Sequence, residues 1–180
     1  MSDPGKFSQL ARTVLGASAA LVLAACATQA EISSDYDRSA NFRDFHTFTV
    51  TQRPHPGISN PLVAVRVEED ITAALQRSGY VLVADPAKAD FSVDFTIGAQ
   101  DRMDVHSYPS ALPGGPVWGS NLDVRQYREG TLTIDIFEQR THRPVWHASA
   151  QKELTQKDLE QPAAAVNEAV SSVLAKFPPV

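Results

Sequence analysis

The sequence has one cysteine, Cys26, in 180 residues, so no disulfide can form within a single chain. It lacks a run of about 20 apolar residues, the length that a membrane-spanning helix needs. It also lacks a basic excess, since 16 Lys and Arg residues stand against 21 Asp and Glu residues and give a formal net charge of −5. This balance argues against nucleic acid as a partner, because phosphate backbones select for basic surfaces.

The first 25 residues have the three parts of a bacterial secretory signal. Lys6 and Arg12 supply the positive charge of the start, and an apolar run follows from Val14 to Ala25. A basic start, roughly 7–15 apolar residues and small residues at the cleavage point are typical of such signals. We therefore interpret residues 1–25 as a signal peptide that the mature protein loses.

The cysteine indicates which kind of signal this is. Leu23, Ala24 and Ala25 precede Cys26. An aliphatic residue and two small residues before a cysteine resemble the bacterial lipobox. The pattern predicts that the Cys26 thiol receives diacylglycerol, that signal peptidase II cuts between Ala25 and Cys26, and that further acyl chains such as palmitate follow. The alternatives are an ordinary signal peptide and a buried thiol.

Lipid on Cys26 would hold the mature chain at a membrane by its N-terminus. Each buried methylene contributes about 0.8 kcal/mol, so two or three acyl chains anchor a protein durably whereas one is marginal. By analogy with enteric bacteria, where Asp after the cysteine retains lipoproteins at the inner membrane, Ala27 favours the outer membrane. We expect a lipid-anchored protein on the periplasmic face of the outer membrane.

The mature chain is expected to contain a tether over residues 26–40 and one domain over residues 41–180, since this length and apolar content suit a single core. Removing residues 1–25 removes two of the 16 basic and one of the 21 acidic side chains, so the mature net charge is −6. A second, electrostatic contact with anionic lipid is therefore not expected.

Five segments have the composition of strands. Asn41–Thr51 is rich in aromatic and β-branched residues, and Tyr80–Val83 is short and apolar. Apolar and polar residues alternate over Asp90–Gln100 and Arg125–Glu138, and Val145–Ala150 follows after a turn as the second strand of a hairpin.

Two amphipathic segments predict helices. Asn60 before Pro61 is typical of a helix start and Gly79 of a helix end, while a second helix starts near Pro162. A mainly antiparallel sheet with one polar face, and two helices packed on the other face, predicts an α+β two-layer sandwich. The covered face is expected to carry Phe91, Phe95, Leu132, Ile134 and Trp146.

The segment over residues 101–127 is rich in proline and glycine and is predicted to be a long loop. Tyr108, Trp118 and Tyr127 are interleaved in it. Unstructured loops of this length are uncommon in compact domains and tend to be functional or disordered. One interpretation is a partner-binding loop with Trp118 as its aromatic anchor. The other is a hairpin tip whose aromatic side chains fold back on the sheet.

The sequence contains no convincing metal or cofactor site. Asp101, Asp104 and His106 include ligand types for a divalent metal, but no second ligand cluster accompanies them. His142 and His147 share no helical face, and His147 is expected to point to solvent. We therefore expect no metal and no cofactor.

A catalytic site is also not indicated. The chain has no Gly-x-Ser-x-Gly elbow. Asp94, Asp123 and Asp135 occupy positions expected at the solvent-facing side of the sheet or in loops, where carboxylates keep a surface soluble. The protein is therefore not expected to be an enzyme, and a hydrolase remains a remote alternative.

Several short segments occur in a recognisable order. After the lipobox come Ser34-Asp35-Tyr36-Asp37 and Phe42–Phe48, then Gly79-Tyr80 and Ala89-Asp90-Phe91, and finally Tyr127–Asp135 and Phe177-Pro178-Pro179. This order resembles the bacterial lipoprotein family DUF4136, a domain of unknown function, over nearly the whole mature chain. The family has no established activity, so the resemblance implies no catalytic residues.

These observations favour a non-enzymatic envelope lipoprotein that binds a protein or another envelope component. A carrier of lipid or a small ligand is the alternative, because a two-layer sandwich can leave an apolar gap between helices and sheet. A filled core with no cavity near Phe95 and Ile134 would exclude a carrier.

Overall fold

The computed structural model describes residues 29–51, 60–111 and 117–179, with side chains described outside residues 109–121. The strands are β1 (Glu31–Tyr36), β2 (Thr47–Val50), β3 (Val81–Leu82), β4 (Phe91–Ala111), β5 (Val117–Glu138) and β6 (Arg143–Glu153). The helices are α1 (Pro61–Arg77), α2 (Gln156–Glu160) and α3 (Pro162–Leu174). Within these ranges no helix has the length and apolar character needed to cross a membrane.

The strands of the described ranges form one open, mixed sheet in the order β1-β6-β5-β4-β2-β3. The three pairs from β1 to β4 are antiparallel, and β2 pairs in parallel with both β4 and β3. The parallel pairs arise because α1 connects β2 to β3 as a crossover. Helices α1 and α3 pack against each other and form the second layer, so the predicted α+β sandwich is confirmed.

The helix-facing side of the sheet forms the core. The predicted core residues Phe91, Phe95, Leu132, Ile134 and Trp146 are all buried. Helix α1 buries Val67, Ile71 and Leu75 against this face, and α3 buries Val166, Val170, Val173 and Leu174. These are the apolar stripes expected of two amphipathic helices.

The C-terminal segment closes one end of the core with an aromatic cluster. The ring of Phe177 lies 5.4 Å from that of Trp146, 5.7 Å from that of Phe91 and 5.9 Å from that of Phe42. Aromatic rings at such separations, in edge-on or tilted arrangements, pack favourably. The chain after α3 is therefore part of the core.

The start and end of α1 match the prediction. The Asn60 side chain accepts a hydrogen bond from the Leu62 N–H, and Pro61 occupies the first helical position. Gly79 follows with a φ of +95°, a left-handed conformation that glycine adopts without strain.

The segment Asn41–Thr51 differs from the single strand that was expected. Phe42–Asp44 forms one turn of 3₁₀ helix, and only Thr47–Val50 is a strand. The Asn41 side chain accepts a hydrogen bond from the Arg43 N–H and so caps the turn. Because of this turn, Phe42 and Phe45 point to the same aromatic cluster, with ring centres 5.6 Å apart, which explains their spacing of three.

The expected tether over residues 26–40 is too long, because its second half forms β1. Glu31 pairs with Gln151 and Tyr36 with Trp146 along β6. The strand is polar and mostly exposed, with Ile32 alone packed against the core, so no apolar alternation marked it in the sequence. Arg143 donates a hydrogen bond of 2.9 Å to Asp37 just beyond the strand. The domain therefore begins ten residues earlier than the predicted boundary at Asn41.

The prediction of a long loop over residues 101–127 is wrong. β4 and β5 stay paired from Phe91 opposite Glu138 to Ala111 opposite Val117. A register shift between Pro109 and Ala111 accommodates the proline, which cannot donate to a ladder. We call residues 100–111 of β4 and 117–129 of β5 the outer ribbon. It is a two-stranded extension of the sheet.

Asp90 joins the start of β4 to β2. Its carboxylate accepts the backbone N–H groups of His46 and Thr47 at 2.9 and 2.8 Å and the Thr47 hydroxyl at 2.9 Å. Partial burial acts to raise the pKa of Asp90, but these hydrogen bonds outweigh burial and hold the pKa below its usual value. The ionised carboxylate therefore stabilises this corner of the sheet.

We expect Asp90→Ala to lower the free energy of unfolding by about 2 kcal/mol, since two N–H groups lose a charged acceptor. Because the folded pKa is depressed, the stabilisation by Asp90 is complete above about pH 4 and is lost as the pH falls through the folded value. Urea unfolding at pH 7 and pH 3 checks this prediction. The difference in the free energy of unfolding between the variant and the wild type should be smaller at pH 3. Glu69→Ala, at an exposed position of α1, is the control. An equal difference at both pH values would contradict the assignment.

Candidate binding pocket and partner surface

Some of the predicted site residues lie outside the part of the chain that the structure describes, and the others lie on the outer ribbon. Leu23, Ala24, Ala25 and Cys26 lie outside the described residues, as does the side chain of Trp118. Tyr108 and Tyr127 lie on the outer ribbon.

Tyr108 and Tyr127 are on the same face of the ribbon but far apart along it. Tyr108 is opposite Asn121, and Tyr127 is opposite Arg102. The six residues from 102 to 108 correspond to about 20 Å of strand. Arg125 lies over the Tyr127 ring at 5.5 Å, and the His106 ring lies 6.3 Å from that of Tyr108. The two tyrosines therefore do not form one aromatic anchor.

This face of the ribbon is polar and carries two ion pairs, one between β4 and β5 and one between β5 and β6. Arg102 donates to Glu129 at 2.9 Å, and Arg125 bonds Glu153 near the end of β6. Exposed ion pairs contribute little to stability, typically about 0–1 kcal/mol, so these contacts mainly set the orientation of the side chains.

The opposite face of the ribbon carries four exposed apolar side chains. Val105 lies opposite Val124, with Met103 and Leu122 on the same face. We call these four side chains the ribbon stripe. Their exposed fractions are 59% for Met103, 55% for Val105, 67% for Leu122 and 51% for Val124. Because alternate residues share a face, the stripe lies on the same side of the sheet as the core, beyond the helices. A contiguous exposed apolar patch is typical of an interaction surface.

A pocket of about 350 Å³ opens between the two layers at the base of the ribbon. Its floor is a row across the sheet in which Ile97 opposes Leu132 and Leu132 opposes Ala150. Val63 of α1 and Val166 of α3 face it from the helical layer. The remaining lining comes from Ala30, Asn60, Gly98, Ala99, Arg128, Gly130, Thr131, Lys152, Leu154, Asp158, Leu159, Pro162, Ala165, Glu168 and Ala169.

Small inward-facing residues account for the space. In the preceding row Phe95 opposes Ile134, which fills the gap between the layers. In the following row Ala99 opposes Gly130, and both helices begin near this level. A Cβ at Gly130 would lie 2.9 Å from the Leu154 Cδ2 atom, so Leu154 packs directly on the glycine backbone. The core is therefore filled at Phe95 and Ile134, and the pocket lies one to two rows further along the same strands.

The rim of the pocket is charged but internally paired. The Lys152 ammonium lies 3.1 Å from Asp158 and 3.3 Å from Glu168. Burial opposes the charged form of Lys152, but the bonds to these two carboxylates hold its pKa above the usual value. Burial likewise acts to raise the pKa of Asp158, and the bonds from Thr155 and Lys152 hold that pKa below its usual value. Such a rim favours an apolar occupant, since its charges are satisfied within the protein.

The candidate metal and catalytic residues are not brought together. Asp101 lies on the ribbon face opposite to that of Asp104 and His106, because strand residues alternate. Among the described residues, no three His, Cys, Asp or Glu side chains are grouped as metal ligands would be.

The other side of the sheet carries a row of acidic residues and one histidine. Asp94 opposes Asp135, which opposes His147. His147 was expected to point to solvent, and it is exposed, but its Nδ1 atom also lies 2.7 Å from an Asp135 carboxylate oxygen. This pair is a surface contact, since both side chains are partly exposed.

Comparisons with known proteins match these features at the level of the fold. A family model described as Domain of unknown function (DUF4136) matches residues 32–179. A DUF4136 family protein of Bacteroides thetaiotaomicron has a similar structure, with a TM-score of 0.54, 16% identity, and coverage of 83% of this chain and 96% of that one. No curated protein matches the chain in sequence.

Two other solved structures share the fold. PelC of Paraburkholderia phytofirmans, described as a dodecamer, has a TM-score of 0.53 and 10% identity over 81% of this chain and 95% of that one. A PDZ domain protein of Parabacteroides distasonis has a TM-score of 0.57 and 13% identity over 85% of this chain. The present chain spans 37% of that protein's length. At sequence identities this low, the similarity shows a shared fold and is not evidence of a shared function.

Asp158 is expected to support the pocket wall formed by α2. Its carboxylate accepts the backbone N–H and the hydroxyl of Thr155 at 2.9 and 2.7 Å, completing a capping box. Asp158→Ala should lower the free energy of unfolding by about 1–2 kcal/mol through loss of the cap and the bond from Lys152. Urea unfolding measures this, with Lys157→Ala at an exposed neighbouring position as control. Equal stability of the two variants would argue against this role.

Proposed function

Since the chain belongs to the DUF4136 family, we propose that it is a non-enzymatic lipoprotein of the bacterial envelope that is anchored by lipid at Cys26 and binds a protein partner through its outer ribbon. The observation that carries the proposal is the ribbon stripe, an exposed apolar face on a two-stranded extension.

The anchor is supported by the lipobox and by the position of β1. Cys26 precedes the first residue of β1, Glu31, by five residues. An extended chain spans at most about 3.6 Å per residue, so the domain would lie within about 18 Å of the anchored sulfur. Ala27 in place of Asp favours the outer membrane, with the domain on the periplasmic face.

Partner binding is supported by the chemistry of the ribbon. The stripe offers two apolar side chains from each strand, within a single face. Four exposed apolar side chains on one face of a two-stranded ribbon suit a protein surface more than a small ligand, because they form an open patch and not an enclosed cavity.

A second copy of this chain is the first partner to test. The stripe is a single patch that can pair with itself around a two-fold axis or with another surface in a ring. PelC, which has the same fold, is described as a dodecamer.

Lipidation is tested by feeding cells an alkyne-bearing fatty acid and labelling the protein after lysis. The wild type should incorporate the label, and Cys26→Ser should lose essentially all of it, because only the thiol forms the thioether. Ala27→Ser is the matched control and should label like the wild type. Mass spectrometry of the N-terminal peptide should begin at Cys26 and carry the lipid mass. An unmodified Cys26 peptide would overturn the anchor.

Partner binding is tested by a photoreactive amino acid placed at Val105 in intact cells. We expect a specific protein adduct from position 105 and none from position 106, which is adjacent but on the opposite face.

Adding Val124→Glu should reduce the adduct roughly tenfold, the size of effect expected at the centre of an interface. Thr96→Glu, an exposed charge on the polar side of the sheet, should leave the adduct unchanged. Equal adducts from positions 105 and 106 would contradict a role for the stripe.

A further inference from the structure

The chain enters the domain at the pocket. Ala30 lines the pocket, and the next residue, Glu31, begins β1 opposite Gln151. Cys26 precedes Ala30 by four residues, which span at most about 14 Å when extended. A lipid attached to the Cys26 sulfur therefore starts close to the pocket opening.

The inside of the pocket suits a hydrocarbon. Its floor and roof are formed by aliphatic side chains, among them Ile97, Leu132 and Val166. In the described residues no buried side-chain nitrogen or oxygen lacks a hydrogen-bond partner, so nothing in the pocket requires a polar ligand.

A tethered acyl chain has an advantage over a free lipid. Binding of a group linked by a short segment is intramolecular, and its effective concentration reaches the millimolar range. A free amphiphile would have to reach the same opening from the periplasm. Both cations in the pocket lining have carboxylate partners within the protein, since Lys152 is bonded to Asp158 and Glu168 and Arg128 lies 3.6 Å from Asp101.

We propose that one acyl chain of the lipid on Cys26 folds back into the pocket between the sheet and helices α1 and α3, while its other chains remain in the membrane. The inference rests on the proposed function, since it requires lipid on Cys26. In this arrangement the pocket binds part of the lipid anchor of the same chain. It also places the pocket end of the domain, and the base of the outer ribbon, against the bilayer.

The experiment uses the full-length protein in cells fed a fatty acid that carries a diazirine near its methyl end and an alkyne for capture. After illumination, we expect intramolecular cross-links from the lipidated N-terminal peptide to peptides that contain Leu132 or Val166. Ala165→Trp places a ring in the pocket and should reduce these cross-links at least tenfold. Ala164→Trp, on the exposed side of α3, is the matched control and should leave them unchanged.

Leu159→Trp provides a second obstruction at an exposed rim position if Ala165→Trp fails to fold. In every variant the mass of the N-terminal peptide reports lipidation independently of the cross-link. A protein without lipid would overturn the proposed function and this inference together. A lipidated protein with cross-links only outside the pocket would overturn this inference and leave the anchor standing.

Cys26→Ser distinguishes the lipid of the same chain from a free one. This variant has no thioether site, so pocket cross-links should disappear from it. If they persist, the occupant is a free lipid, and the pocket is a carrier site rather than part of the anchor.

Discussion

The antiparallel pairing of β4 with β5 is the constraint on which the rest of the molecule depends. It runs without interruption from Phe91 opposite Glu138 to Pro109 opposite Ser120, and it continues after one register shift. The inner half forms the centre of the sheet and supplies Phe95 and Ile134 to the core. The outer half extends beyond the domain and presents the ribbon stripe on one face and the paired charges on the other. A single register therefore sets both the core and the ribbon stripe, since a one-residue slip would exchange the two faces along the whole length.

The pocket follows from the same register. Large side chains fill the space under the helices up to the row of Phe95, and small ones follow at Ala99 and Gly130. Helices α1 and α3 both begin at this level, and β1 enters the sheet beside it. The domain thus has one closed end, packed around Phe177, and one open end, where the ribbon, the pocket and the chain's entry meet. An anchor at Cys26 would bring this open end to the membrane.

Side-chain periodicity made the inner domain predictable. The alternation over Asp90–Gln100, the cap at Asn60 and the apolar stripes of both helices each correspond to observed elements.

The sequence was misleading in the two segments whose backbone pairs in the sheet while most of their side chains stay exposed. β1 buries almost nothing, so its pairing with β6 left no apolar pattern. The outer ribbon alternates too, at Met103 and Val105, but neither of its faces is covered, and nearby prolines and glycines suggested a loop. The pocket had one readable signal, small residues at inward positions such as Ala99, Gly130 and Ala150, which becomes informative only once the register is known.

The placement of β1 has a mechanical consequence. If Cys26 is held at a membrane, tension between Cys26 and the domain would act first on Glu31, the first residue of the edge strand β1. Six consecutive residue pairs, from Glu31 with Gln151 to Tyr36 with Trp146, connect that strand to β6. A load directed along the strand would act on these hydrogen bonds in shear and be shared among them, whereas a sideways load would break them one after another. The bond from Arg143 to Asp37 lies at the far end, so it would be the last to yield in peeling. In a chain anchored at Cys26, the direction of tension at the membrane would thus decide how firmly the domain stays folded.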